Sequence, residues 1–321
     1  MRTVSIGGHR YSDPDVLSLI EATGSLVDPR SAVTHQARKL LNLCQQFQGV
    51  PKDPIERLKI LASLVGIKIE PMNIERQRRE KRDALLYNTD SGRVVLYNPR
   101  RPRSRVAFSI AHEIAHTFFP NSIKGTRFRS LCDDASREAN ELERLCDLGA
   151  AEMLLPVEEF REAAGKNFGL NIVDRLCNTF GSSYEATVYR LATAHPGTAI
   201  AGLLKFRLTV GEERKLGPSD QQALFAEHEI PHLKEPAKKY RRQSLHLSEA
   251  CTAEHIVRWN KSFDQSSIVY AAGRNGGIHS SREPLPNLDG TIGVLEAIRA
   301  PYQREGADES FADVLFFWQA D

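Results

Sequence analysis

At 321 residues the chain is longer than a typical single domain, and its 41% hydrophobic and 26% charged residues are typical of an ordinary globular protein. Its 43 Lys and Arg residues against 41 Asp and Glu give a formal net charge of +2, which provides no general reason to expect nucleic acid or a membrane as a partner. The sequence has neither a signal-peptide core nor an apolar run near the roughly 18 residues of a membrane helix, so we expect a cytoplasmic protein.

The N-terminal 30 residues predict an irregular lead-in rather than a packed element. Gly7-Gly8, Asp13-Pro14 and Asp28-Pro29 interrupt this stretch, and it has little apolar periodicity. From Ala32 onwards the pattern changes, and the apolar residues between Ala37 and Cys44 predict a first helix.

Helical and strand patterns then alternate up to residue 97. Pro54 and Gly66 mark the ends of a second helix, and a short strand is predicted over 67–71. Residues 84–87 and 93–97 flank a turn-forming segment, which predicts a β-hairpin.

Basic runs lie on either side of the hairpin, at 76–82 and 98–105. Either could contact phosphate, but no aromatic side chains interleave them as stacking platforms would. We therefore interpret them as basic surface in preference to a direct nucleic-acid site.

Helices are predicted over 106–119 and over about 135–155, each followed by a proline. Residues 170–194 predict two short helices around Gly181, with the shape of a helix-turn-helix. Arg190 is the only basic residue after that turn, so we expect this segment to pack against the protein and not to read DNA.

A β-rich domain is predicted over 198–321. Strand-like apolar runs are separated there by polar loops rich in Gly and Pro, at 199–210, 266–272, 292–298 and 312–318. The basic patch Lys238–Arg242 contains one aromatic residue, and we interpret it as surface.

The segment Ala111-His112-Glu113-Ile114-Ala115-His116 carries the clearest chemical signal. Histidines four apart on a helix project from one face and can bind one metal ion. Glu113 is rotated by about 100° from His112, so it can act as a base on a water molecule without being a ligand. This pattern predicts a catalytic zinc site, one zinc per chain.

A catalytic zinc needs a third protein ligand, and Glu143 on the next predicted helix suits that role. Asp147, one turn further, could orient a ligand histidine; the alternative is that both carboxylates only solvate a helix face. Thiolate ligands are not expected, because the cysteines are odd in number, widely spaced and never in a Cys-x-x-Cys pair: Cys44, Cys132, Cys146, Cys177 and Cys251.

The segment Arg105–His116, together with Val94–Asn98, Glu143–Pro156 and Leu176–Leu191, resembles the ImmA/IrrE metallopeptidase family over roughly residues 33–195. The family pattern usually has Ala and Phe where this chain has Cys146 and Gly149, a departure that we expect to affect packing more than chemistry.

The resemblance implies an α+β fold: a zincin-like, minigluzincin-type helical core over 31–197 with a small antiparallel sheet, followed by the β-rich domain, which relatives can use to sense a ligand. It implies zinc on His112, His116 and Glu143, with Glu113 as the base. The implied activity is limited cleavage of a helix-turn-helix repressor, which releases stress, mobile-element or toxin genes.

Other interpretations remain open from the residues alone. The chain could be a regulatory protein that binds a ligand or nucleic acid and has a structural or silent zinc site, or a hydrolase of small amides. A second His-Glu-x-x-His match, at 228–232, contains Pro231, which disfavours a shared helical face. The residues that could stabilise an oxyanion are Tyr87, Tyr97 and His195.

Overall fold

The structure is a computed structural model, and it describes residues 3–6, 8–24, 27–46, 51–73, 83–90, 92–121, 139–216, 237–286, 288, 291–302 and 311–321. The basic run 76–82, Cys132 and the second histidine motif at 228–232 lie outside these residues. The chain forms two compact units, one of Met1–Glu159 with Cys177–Ser183, the other of Phe160–Leu176 with Tyr184–Asp321.

The first unit combines helices with two small sheets. Its helices are α1 (Pro14–Thr23), α2 (Pro29–Gln45), α3 (Pro54–Leu64), α4 (Arg103–Ala115) and α5 (Ala139–Leu154). Its strands are β1 (Val4–Ile6), β2 (His9–Tyr11), β3 (Ile67–Pro71), β4 (Ala84–Thr89) and β5 (Gly92–Tyr97). Two further helices, α6 (Val157–Ala164) and α7 (Val173–Phe180), have residues in both units.

The N-terminal segment is ordered, and the predicted irregular lead-in is wrong. The Asp13-Pro14 pair starts a helix, because the Asp13 carboxylate caps α1 and the proline occupies its first turn. Val16 and Leu19 of α1 are buried. The backbone N–H groups of Ser12 and Asp13 donate to the Glu141 carboxylate of α5 at 2.9 and 3.1 Å, which fixes this segment to the core.

Close packing of α4 on α5 forms the centre of the first unit. Ile110 and Ile114 on α4 and Met153 on α5 are fully buried. Gly149 on α5 permits the close approach, since a Cβ there would lie 3.0 Å from the Ala115 Cβ and 3.1 Å from Phe118. The helix that carries the histidines therefore lies directly against the helix that carries Glu143.

The predicted hairpin is present, with β4 antiparallel to β5. Strand β3 pairs with β5 in parallel, so the sheet has the order β3-β5-β4, with β4 at one edge. The sheet is therefore mixed, and the expectation of a wholly antiparallel sheet is wrong.

The second unit is built on a five-stranded antiparallel sheet in the order β7-β6-β10-β9-β8. Its strands are β6 (Ala199–Arg207), β7 (Lys239–Leu247), β8 (Ile278–Glu283), β9 (Gly293–Arg299) and β10 (Val314–Ala320). Its further helices are α8 (Tyr184–Ala194), α9 (Val210–Leu216) and α10 (Ile268–Asn275).

Helix α8 packs on β6, β7 and β10, and α10 packs on β8, β9 and β10. Phe316 and Trp318 of β10 belong to the apolar core that includes Val269 of α10. The helix-turn-helix-like segment thus has the packing role that we expected. Because α8 belongs to the sheet unit, the contact boundary differs from the expected one at residue 197.

One predicted strand, 266–272, is wrong, because this stretch forms α10. Ser267 caps the helix by accepting from the Val269 N–H at 3.3 Å, and Gly276 ends it. Short apolar runs suit a buried strand and a buried helix equally. Strands β7 and β8 were not predicted, since they carry mostly polar and charged residues.

The α+β class, with a helical core followed by a β-rich C-terminal part, is confirmed. Among the described residues, no helix has the length and apolar character needed to cross a membrane.

Candidate metal centre

His112 on helix α4 and His116, which directly follows the last residue of α4, have ring centroids 5.0 Å apart. The His112 side chain is buried, with 2% of its surface exposed, and that of His116 is 15% exposed. Imidazoles shielded in this way lose contact with water, which costs free energy unless a ligand or a hydrogen bond replaces the lost hydration.

The N-terminal end of α4 is held by ion pairs from the basic run 98–105. Arg101 and Arg105 lie 2.7 and 2.6 Å from the carboxylate of the buried Asp83, next to β4. Arg103 pairs with Asp53, the cap of α3. These arginines orient the histidine helix against the hairpin and α3, which agrees with the interpretation of this run as something other than a nucleic-acid site.

Glu143 on α5 faces both imidazoles. Its carboxylate oxygens lie 3.3 Å from Nε2 of His112 and 4.0 Å from Nε2 of His116. Two zinc bonds of about 2.1 Å at a tetrahedral angle separate their donor atoms by about 3.4 Å. The Glu143–His112 distance is close to this value, and the Glu143–His116 distance is longer. Imidazole nitrogen and carboxylate oxygen are both donor types that zinc accepts.

The other ring nitrogen of each histidine has its own partner. Nδ1 of His112 lies 2.8 Å from a carboxylate oxygen of Asp147, and Nδ1 of His116 lies 3.4 Å from the thiol of Cys146. Such contacts fix the ring orientation and favour the tautomer that leaves Nε2 as a metal donor.

Cys146 itself belongs to a possible donor set, because ligand atoms of His112, His116 and Cys146 all lie within 4.8 Å of one another. Glu143 fits the third position better, since its carboxylate faces both Nε2 atoms whereas the thiol lies at Nδ1 of His116. The expectation that Cys146 affects packing more than chemistry did not include this contact with His116. The sequence did carry one signal of this contact: Cys146 is three residues after Glu143 on one helix, so the two side chains lie on the same face.

Glu113 is buried on α4, one residue after His112. A side chain in this position points about 100° around the helix from His112. Glu113 therefore does not share the direction of the His112 imidazole.

The three candidate oxyanion stabilisers are in different surroundings. Tyr87 lies on β4, the strand that packs on α4. Tyr97 interacts electrostatically with Lys59 and Arg103. Arg103 is nine residues before His112, which corresponds to roughly 13 Å along the helix. Tyr97 is therefore near the N-terminal end of α4, and His112 is near its C-terminal end. His195 belongs to the second unit, where its Nδ1 accepts from the Gly197 N–H at 3.0 Å and its ring packs on Phe168.

Residues 64–192 match the model of the peptidase M78 family, described as the IrrE N-terminal-like domain. A solved structure of a transcriptional regulator from Mycobacterium tuberculosis is similar to the chain at 16% sequence identity and a TM-score of 0.51. The similarity covers 95% of this chain and 81% of that one, and it concerns the fold alone. No curated protein sequence matches the chain.

Proposed function

We propose that this chain, whose residues 64–192 match the model of the IrrE N-terminal-like domain, is a zinc-dependent endopeptidase that makes a limited cut in a helix-turn-helix transcriptional repressor. The observation that carries the proposal is the Glu143 carboxylate facing Nε2 of both His112 and His116, with Glu113 buried beside them.

His112, His116 and Glu143 would hold one zinc ion per chain, and Asp147 and Cys146 would orient the two imidazoles. When bound, zinc would supply Lewis acidity that lowers the pKa of water toward about 7. Glu113 then takes the proton of the attacking water and donates it to the leaving nitrogen of the peptide bond.

Substrate binding is assigned to β4, which lies at the edge of the sheet β3-β5-β4. An extended peptide can add to such an edge through backbone hydrogen bonds. Tyr87 lies on this edge strand, whereas Tyr97 lies on the central strand β5 and His195 belongs to the second unit, so we favour Tyr87 as the donor that stabilises the oxyanion.

The substrate class is supported by the family of the catalytic domain and by the fold shared with a transcriptional regulator. We propose that the repressor is encoded near this chain, that both proteins meet in the cytoplasm, and that cleavage releases stress, mobile-element or toxin genes. To test this, the zinc-loaded chain is incubated with the repressor encoded by the neighbouring gene, and the masses of the products are measured by mass spectrometry. One pair of fragments that disappears with a chelator supports the proposal, and an intact repressor contradicts it.

A second candidate is a regulatory protein with a closed, structural zinc site, favoured by the proximity of Cys146 to both histidines. With Glu143 as well, four ligands would leave no open position. X-ray absorption of the zinc-loaded chain separates the two, because a sulfur ligand lies at about 2.3 Å and nitrogen and oxygen ligands at about 2.0–2.2 Å. A sulfur shell would favour the structural site.

We further propose that the second unit is a sensory domain that regulates the peptidase. None of the proposed metal ligands belongs to it. The fully buried Phe316 offers a test. Phe316→Ala should lower the free energy of unfolding of this unit by several kcal/mol, because it leaves a cavity in the core. A changed cleavage rate with unchanged zinc content supports regulation, whereas an unchanged rate indicates a domain that only adds stability.

A further inference from the structure

An exposed tryptophan with two arginines forms a distinct feature of the second unit. Trp259 is 54% exposed, and the guanidinium carbon of Arg242 lies over its ring, 4.2 Å from the centroid. The guanidinium carbon of Arg207 is 5.8 Å from the same centroid. We call these three residues the Trp259 platform. The only other tryptophan, Trp318, is fully buried.

Strands β6 and β7 concentrate positive charge beside this platform. Their register places Lys205 opposite Arg241 and Arg207 opposite Lys239. Like charges directly opposite each other destabilise a sheet. The Glu212 carboxylate compensates Arg241, with both oxygens 3.0 Å from the guanidinium. Lys239 interacts electrostatically with the carboxylates of Glu212 and Asp264.

The two platform arginines have no carboxylate partner in the part of the chain that the structure describes. Arg207 donates to the backbone oxygen of Arg242 at 2.9 Å, and the Nε atoms of both residues are buried without a hydrogen-bond acceptor among those residues. A guanidinium that is always charged and only partly hydrogen-bonded is a site for an oxyanion, above all phosphate.

We propose that the Trp259 platform binds single-stranded nucleic acid. A base stacks on the indole of Trp259 while adjacent phosphates accept hydrogen bonds from Arg207 and Arg242. An acidic polypeptide would satisfy the cations but would leave the stacking surface unused. Bases in a duplex are stacked on each other, so duplex DNA offers this indole no free face. This inference is independent of the proposed peptidase activity.

The test uses the intrinsic fluorescence of the full chain, since Trp259 is the only tryptophan exposed to a ligand in solution. The probe is single-stranded oligothymidine of roughly 12 nucleotides, within the usual site sizes. We expect saturable quenching. Arg207→Ala and Arg242→Ala should each reduce the slope of log K against log salt by about 0.7, the value for one phosphate contact on a single strand.

Trp259→Leu keeps an apolar side chain and removes the stacking face. Measured by anisotropy of a labelled oligonucleotide, it should raise Kd roughly 5- to 150-fold, the range for the loss of one stacked base. Lys166→Ala, which removes one exposed positive charge of the second unit, is the matched control and should leave the affinity within about twofold.

Three results would overturn the proposal: no quenching by the oligonucleotide, an unchanged Kd for Trp259→Leu, or binding of duplex DNA or of a polyglutamate peptide at least as tight as that of the single strand. Preference for polyglutamate would assign the platform to an acidic protein partner instead. Zinc content of all variants should equal that of the unmodified chain, because no platform residue belongs to the metal centre.

Discussion

The thiol of Cys146 lies 3.4 Å from Nδ1 of His116, the ring nitrogen that does not face Glu143. Sulfur is a weak hydrogen-bond acceptor, so this contact orients the imidazole less firmly than a carboxylate would. The two histidines thus differ, since His112 has the Asp147 carboxylate at its own Nδ1.

We expect Cys146→Ala to lower the zinc affinity by less than about tenfold, because Nδ1 of His116 loses a weak hydrogen-bond partner. Cys146→Ser should keep the original affinity, because its hydroxyl can accept a hydrogen bond at the same position. Competition with a chelating dye measures both affinities. Cys44→Ala is the control, as Cys44 is a buried thiol on α2. If Cys146→Ala, Cys146→Ser and Cys44→Ala bind zinc with equal affinity, Cys146 contributes only to packing.

Asp147→Ala should weaken zinc binding or cleavage by about 10- to 100-fold, since it removes the acceptor that fixes the ring of His112. Asp147→Asn keeps a carbonyl oxygen at this position, so its zinc affinity should fall by less than that of Asp147→Ala. The same dye competition provides the affinities. Equal values for Ala and Asn would mean that the carboxylate only solvates the surface of α5.

Glu143→Ala should leave the chain with well under one zinc ion after dialysis, because two histidines remain as protein ligands. Circular dichroism should show a folded chain, as the Glu143 side chain is 26% exposed. Glu162→Gln, which alters an exposed carboxylate, is the control and should keep a full zinc ion. Full zinc content in Glu143→Ala would exclude this residue as the third ligand.

The second unit should lose stability as the pH falls from about 6.5 to about 4. The pKa of His246 is lowered from 6.5 to about 4, chiefly by burial, with a smaller opposing effect of Glu185 and a smaller lowering effect of Arg190. Below pH 6.5 the unfolded chain therefore takes up a proton that the folded chain does not, which disfavours folding by up to about 1.4 kcal/mol per pH unit.

His246→Phe should flatten this pH dependence, because it keeps a ring to stack on Tyr189, 3.9 Å away, and cannot be protonated. Thermal midpoints between pH 7 and pH 4.5 measure the effect, with the exposed His35→Gln as a control. A variant with the original slope would place the titrating group elsewhere.

Much of the metal centre could be predicted from the sequence because helical periodicity fixes which side chains share a face. His116 follows His112 by about one turn at the end of α4, and Cys146 and Asp147 each follow Glu143 by about one turn on α5. Local spacing could not predict that Cys146 would lie at Nδ1 of His116, because that contact depends on the close approach of the two helices at Gly149.

The rest of the fold was harder to predict where tertiary contacts override local pattern. Asp13-Pro14 suits a turn as well as a helix start, and only the Glu141 contacts distinguish them. The Trp259 platform could not be predicted from the sequence because its residues come from three separate segments. The one aromatic residue of the basic patch around Arg242 is Tyr240, which is buried.

The most direct test of the account compares the zinc-loaded chain with Glu113→Gln on the same repressor, with cleavage rates normalised to bound zinc. Glutamine retains the size of the side chain but cannot accept the proton of the attacking water. We predict equal zinc content and a loss of cleavage of at least about 100-fold. Cleavage by Glu113→Gln at a rate near that of the unmodified chain would contradict the proposed peptidase mechanism.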